Sequence, residues 1–171
     1  GLPRRRLPAQ APRPRGKSFA VLAPKDNSPS SGRHGGLRVK PLRWGILGAA
    51  NFALHHMGPA IHAAKGASLC ALATSNPTKA AAFGAFVPDI KIYESYDSLL
   101  AANDIDAVYI PLPNHLHVEW TLRALEAGKH VLCEKPITLM ASDFDRLIDA
   151  RENSGLLVAE AFMIVHHPQW L

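Results

Sequence analysis

The chain has 171 residues, 47% of them hydrophobic, and a formal net charge of +5, which suits one core-bearing domain with an appendage. No apolar run approaches the ~20 residues of a membrane span, and the longest early one, Phe19–Ala23, is short even for a secretory signal core of roughly 7–15 residues. The charge is uneven: residues 1–40 hold ten Lys/Arg and one acid, Asp26, a net +9, whereas residues 41–171 hold nine Lys/Arg and thirteen acids, a net −4.

Residues 1–40 are rich in Pro, Arg, Ser and Gly and lack hydrophobic periodicity, so they read as a disordered basic tail. Six prolines and almost no aromatic residue speak against specific nucleic-acid binding and against the amphipathic helix of a transit peptide. The two cysteines, Cys70 and Cys133, lie inside apolar strand-like runs and read as free buried thiols. With no disulfide framework or CxxC metal motif, they suit a reducing cytosol, and the expected location is cytoplasmic.

From Pro41 the pattern changes to short apolar runs alternating with helical stretches. The runs predict strands over Arg43–Leu47, Ser68–Thr74, Lys91–Tyr93, Ala107–Ile110, His130–Cys133 and Leu157–Ala161. Between them the spacing predicts helices over Phe52–Lys65, Pro77–Phe86, Ser95–Ala102, His115–Ala127 and Ser142–Ser154. This alternation implies an α/β fold, a doubly wound parallel sheet of the Rossmann kind, over residues 41–171. Pro59 falls inside the first helix and predicts a kink or restart there. Gly128 stands where a left-handed helix cap is wanted, and Ser142 reads as the cap of the last helix.

Three stretches carry chemistry. Gly48, Ala50 and Ala53 take the three small-residue places of a dinucleotide turn, with two glycines replaced by alanine; the helix that follows offers N–H groups to a diphosphate. Gly45 and Gly48 would also serve a plain strand-to-helix turn. The end of the second strand, Ala71 to Lys79, has no Asp or Glu for ribose hydroxyls. Ser75, Asn76 and Lys79 can donate to a 2′-phosphate instead, which favours NADP over NAD, while Ser75-Asn76-Pro77 also reads as a helix cap. Pro111–His117 and Val131–Pro136 follow the fourth and fifth strands, on the side where open parallel sheets bind ligands, and the proline after Glu134-Lys135 suggests a cis Lys135–Pro136 bond. The histidines at 55, 56, 115, 117, 166 and 167 show no metal-ligand spacing and read as exposed or capping groups, so no metal is expected.

The combination Gly-Ile-Leu-Gly-Ala-Ala, Pro-Leu-Pro-Asn-His-Leu-His, Ala-Gly-Lys-His-Val-Leu-Cys-Glu-Lys-Pro and Glu-Ala-Phe-Met…His-Pro-Gln resembles the Gfo/Idh/MocA oxidoreductases over residues 42–170. The resemblance implies an NAD(P)-dependent enzyme that moves a hydride between nicotinamide and a hydroxyl or carbonyl of a sugar, polyol or diol. It implies that Gly48, Ala49, Ala50, Asn51 and Phe52 line the pyrophosphate and that Ser75, Asn76 and Lys79 face the adenosine ribose. Leu112, Pro113, Asn114 and His117 would run along the cofactor. Glu134 and Lys135 would lie beside the nicotinamide, with Lys135 as the catalytic cation. Many relatives carry arginine where Val165 stands. The family continues into a second domain that holds substrate and builds the oligomer, so the chain is expected to be the nucleotide-binding half, with a non-catalytic dinucleotide-binding module as the alternative.

Overall fold

The computed structural model describes residues 40–170, the side chain of Trp170 excepted. The basic tail expected over residues 1–40 therefore lies outside the described residues, save Lys40. Six strands form one sheet: β1 (Leu42–Leu47), β2 (Ala67–Ala73), β3 (Lys91–Tyr93), β4 (Ala107–Ile110), β5 (His130–Cys133) and β6 (Val158–Glu160). Their order is β3-β2-β1-β4-β5-β6 and every pairing is parallel. Central strands covered on both faces read as unbroken apolar runs, and all four residues of β4 are buried. This is the doubly wound Rossmann sheet expected from the alternation of runs. The order reverses between β1 and β4, so the loops leaving those strands diverge and open a crevice.

Successive side chains of a strand face opposite ways, and the two faces collect different partners. Leu47, Val108 and Ile110 belong to the core under α3 (Tyr96–Leu100), α4 (His117–Glu126) and α5 (Ala141–Ser154). Ile46, Leu72 and Tyr109 pack instead with Ile61 of α1 (Gly58–Ala63) and Phe83 of α2 (Pro77–Gly84). Gly45 has no room for a side chain on the α3 face, since a Cβ there would sit 2.7 Å from Leu99.

The first helix does restart near Pro59. A π-helical turn, Ala53–Met57, precedes α1, and the Gly58 N–H donates to the Ala53 carbonyl. Pro59 then sits in the first turn of α1, where a missing N–H costs nothing. Gly128 takes φ +75° after α4. Its N–H reaches the Leu125 carbonyl at 2.9 Å and the Lys129 N–H reaches that of Ala124 at 2.9 Å, the paired bonds of a Schellman cap. The reading of Ser142 as a cap is corrected. Helix α5 begins at Ala141 behind Met140 with no side-chain cap. The Thr138 hydroxyl makes the turn instead, accepting the Met140 N–H at 3.1 Å and donating to the Met140 carbonyl at 3.0 Å.

The amino ends of the strands are tied by charge. Arg43 donates to both carboxylate oxygens of Asp106, at 2.9 and 2.6 Å, and its backbone N–H adds a third bond at 2.9 Å. These bonds hold the Asp106 carboxyl down at about 2. Lys129 is buried and donates to the Ala102 and Ile105 carbonyls at 2.7 and 2.9 Å.

Candidate functional site

The carboxyl ends of the strands surround a cleft of about 500 Å³ at the reversal point of the sheet. Its floor is the turn leaving β1. Gly48 has φ +96°, a conformation L side chains rarely adopt, and its N–H is fixed to the Ala73 carbonyl at 3.0 Å. A Cβ on Gly48 would lie 2.8 Å from a Leu112 methyl and 3.3 Å from the Tyr96 hydroxyl. The backbone of Gly48, Ala49 and Ala50 is therefore what the cleft presents. The chain becomes helical at Asn51, and the first N–H groups of a helix have no partner within it and favour anions.

The turn leaving β2 forms one side. The Thr74 hydroxyl accepts the Asn76 N–H at 3.2 Å, and Asn76 Oδ1 accepts the Lys79 N–H at 3.0 Å. Asn76 thus caps α2, with Pro77 in its first turn. Thr74, Ser75, Asn76 and Lys79 all line the cleft, and this turn carries no carboxylate. Acids enter from the next loop, where Glu94 and Asp97 flank Ser95, whose side chain closes a capping box with Ser98. Asp97 meets Arg123 at 3.0 Å, and the same guanidinium lies 4.5 Å from the Trp120 ring centre. Tyr96 stands edge-on to Trp120 with ring centres 4.8 Å apart. Both residues line the cleft, together with Pro111, Leu112 and Pro113 of the turn leaving β4.

The turn leaving β5 lies beside this cleft in the sheet and is held by contacts distant in sequence. The Lys135–Pro136 bond is cis. The Tyr109 hydroxyl donates to Glu134 Oε1 at 2.7 Å. Burial, then the bond to Glu134, raises the Tyr109 pKa, so the hydroxyl keeps its proton and remains a donor. The Glu134 N–H reaches the Ile110 carbonyl at 3.0 Å, and the Ile137 N–H reaches Glu160 Oε1 at 2.8 Å. Lys135 is exposed amid these fixed neighbours. Cys133, fully buried below the turn, has its thiol pushed up to about 12 by burial and is inert as a nucleophile.

Of the residues expected around a dinucleotide, the cleft brings together Gly48, Ala49, Ala50, Ser75, Asn76, Lys79, Leu112 and Pro113. Asn51, Phe52 and Asn114 are exposed beside it without lining it, and Glu134 and Lys135 sit on the neighbouring turn. His117, read as an exposed or capping group and placed along the cofactor, is not exposed. It is 0% exposed, with Nδ1 2.7 Å from the Pro136 carbonyl oxygen and Nε2 2.7 Å from that of Leu112. The histidines at 55, 56, 115, 166 and 167 are exposed. The sequence reading missed Tyr96, Trp120, Glu94 and Asp97. Their only local signal is Ser95 three residues before Ser98, which marks where α3 starts and not what it faces. Among the described residues no group of three or more His, Cys, Asp or Glu is placed to hold a metal, and no helix is long and apolar enough to cross a membrane.

The family GFO_IDH_MocA, described as "Oxidoreductase family, NAD-binding Rossmann fold", matches residues 42–162. The chain is 47% identical over 129 residues to the dTDP-3,4-didehydro-2,6-dideoxy-alpha-D-glucose 3-reductase of Streptomyces violaceoruber, covering 75% of this chain and 37% of that one. It is 39% identical over 127 residues to the D-xylose 1-dehydrogenase (NADP(+)) 2 of Haloferax volcanii, covering 74% and 39%. A 3-ketoreductase from Actinomadura kijaniata, solved with NADP and TDP-benzene, superposes with a TM-score of 0.72 at 42% identity, over 76% of this chain and 40% of that one. The chain thus spans about two fifths of the length of the relatives it matches.

Proposed function

The chain belongs to the Gfo/Idh/MocA oxidoreductase family, as its NAD-binding Rossmann domain, and on that premise we propose that its cleft binds NADP(H) for hydride transfer at a sugar or polyol carbon. The observation that carries the proposal is the cleft itself. Turns from β1, β2 and β4 meet at the reversal point of the sheet around a glycine that excludes a side chain. The residues fit a dinucleotide. Backbone groups at Gly48–Ala50 and the helical turn from Asn51 take the diphosphate. Tyr96 and Trp120 wall the cleft with apolar surface, and Ser75, Asn76 and Lys79 supply donors and a cation for a 2′-phosphate.

When bound, the nicotinamide supplies the hydride acceptor or donor. The chain's own contribution to the chemistry is the turn after β5. Lys135, exposed there, stabilises negative charge on the substrate oxygen while its carbon exchanges hydride, and moves the hydroxyl proton. Glu134, braced by Tyr109, keeps that turn in place. A second domain of the intact protein holds the sugar or polyol and forms the oligomer.

Parallel titration of the 171-residue chain with NADPH and NADH tests the cofactor reading. NADPH should bind more tightly, and Lys79→Ala should remove most of the difference while leaving NADH affinity nearly unchanged. Equal affinities in the wild type would refute the 2′-phosphate assignment, and no binding of either would refute the whole reading. For Lys135, an intact protein bearing Lys135→Ala should keep NADPH affinity and lose turnover; unchanged turnover removes the lysine from the mechanism.

A further inference from the structure

His117 is the one described histidine with no exposure, and both of its ring nitrogens face backbone carbonyl oxygens. Nδ1 is 2.7 Å from the Pro136 oxygen, and Nε2 is 2.7 Å from the Leu112 oxygen. Both contacts are of hydrogen-bond length, so one ring meets an oxygen of each turn at the same time. The partners make the arrangement functional. Leu112 belongs to the turn leaving β4 and lines the dinucleotide cleft, where its methyl would contact any Cβ on Gly48. Pro136 follows Lys135 on the turn leaving β5. The ring is the first residue of α4, so one helix end spans the gap between two turns that converge on the cofactor.

We propose that His117 is a positioning residue that straps the Leu112 turn of the dinucleotide cleft to the Lys135-Pro136 turn. The strap sets the spacing between the cleft and the lysine, and it holds Leu112 against the glycine floor. Its bearing on cofactor affinity rests on the function proposed above; its two-ended hold does not.

The test uses the full chain labelled uniformly with nitrogen-15, with the backbone amides of both turns assigned. Gln can reach only one of the two carbonyls. In His117→Gln the amide resonances of Leu112 and Asn114 should therefore move together with those of Lys135 and Ile137, and movement confined to one turn overturns the strap. NADPH affinity of His117→Gln should fall roughly tenfold, the size outer-shell positioning groups carry. An affinity within twofold of wild type overturns the positioning role. If the wild-type chain binds neither NADPH nor NADH, the function reading fails, and the two-turn shifts still decide the strap. If His117→Gln does not fold, His117→Asn, read by the same amide shifts, decides it.

Discussion

Gly48→Ala, measured against Gly66→Ala, isolates what the floor of the cleft requires. Both glycines have positive φ, +96° and +83°, so both substitutions force an L side chain into a left-handed backbone at roughly 1–2 kcal/mol. Both also shrink the unfolded ensemble by the same amount, a stabilising term of about 0.4–1 kcal/mol. They differ in what the new methyl meets. At Gly66 nothing lies within 4 Å, whereas at Gly48 the methyl would stand 2.8 Å from Leu112 and 3.3 Å from the Tyr96 hydroxyl. Leu112 is only 8% exposed and has little room to retreat, so an overpacking cost of about 1–3 kcal/mol falls on Gly48 alone. Gly48→Ala should therefore melt roughly 4–10 °C below Gly66→Ala. In NADPH titration, Gly48→Ala should lose at least about tenfold in affinity, the equivalent of ~1.4 kcal/mol, while Gly66→Ala binds like wild type. Equal melting temperatures and equal affinities for the two variants would refute the claim that Leu112 and Tyr96 hold the cleft floor bare.

Tyr109→Phe removes the hydroxyl that braces Glu134 and should cost about 1.5–3 kcal/mol in urea unfolding, the range for a bond to a charged group; a loss under 0.5 kcal/mol would show the brace to be idle. The Asp106 carboxyl sits at about 2 in the fold against 3.8 when free. Its contribution to stability is thus complete above pH 4 and is lost as the pH falls toward 2. The urea midpoint should drop across that window in the wild type and less in Asp106→Asn, which should already be weaker at neutral pH. Finally, Leu139, Met140, Leu157, Phe162 and Met163 are 48–63% exposed, and exposed apolar surface promotes association. The isolated chain should sediment as larger species with rising concentration; a monomer at all concentrations contradicts that expectation.

What the sequence revealed of the fold and the cleft was set by hydrogen bonds and packing rules that act within a few residues. Buried parallel strands read as unbroken apolar runs, Gly128 announced a left-handed cap, and Asn76-Pro77 announced a helix start; each is decided inside one turn of chain. Ser142 was misplaced for a reason of the same scale, because the Thr138 hydroxyl, two residues from Met140, took over the turn. The contacts that escaped join residues across long separations. Tyr109 and Glu134 are 25 residues apart, His117 and Pro136 are 19, and Ile137 and Glu160 are 23. Tyr96 and Trp120 belong to different helices and meet only because α3 and α4 pack on one face of the sheet. Nothing in the local pattern separates such a tyrosine from an ordinary core residue.

Those long-range ties also suit the turn after β5 to the role proposed for Lys135. Its backbone is held at Glu134 N–H by Ile110, at the Pro136 carbonyl by His117, and at Ile137 N–H by Glu160, while the Glu134 carboxylate is held by Tyr109. A cation that must meet charge developing on a substrate oxygen gains from a fixed base, because less reorganisation is then needed as the charge appears. Lys135 has that base and keeps an exposed side chain on it. The bracing residues come from β4, α4 and β6, so the position of the lysine is a property of the whole sheet end and not of the Glu-Lys-Pro stretch alone. Substituting Tyr109 or His117 should therefore shift the lysine without touching its chemistry.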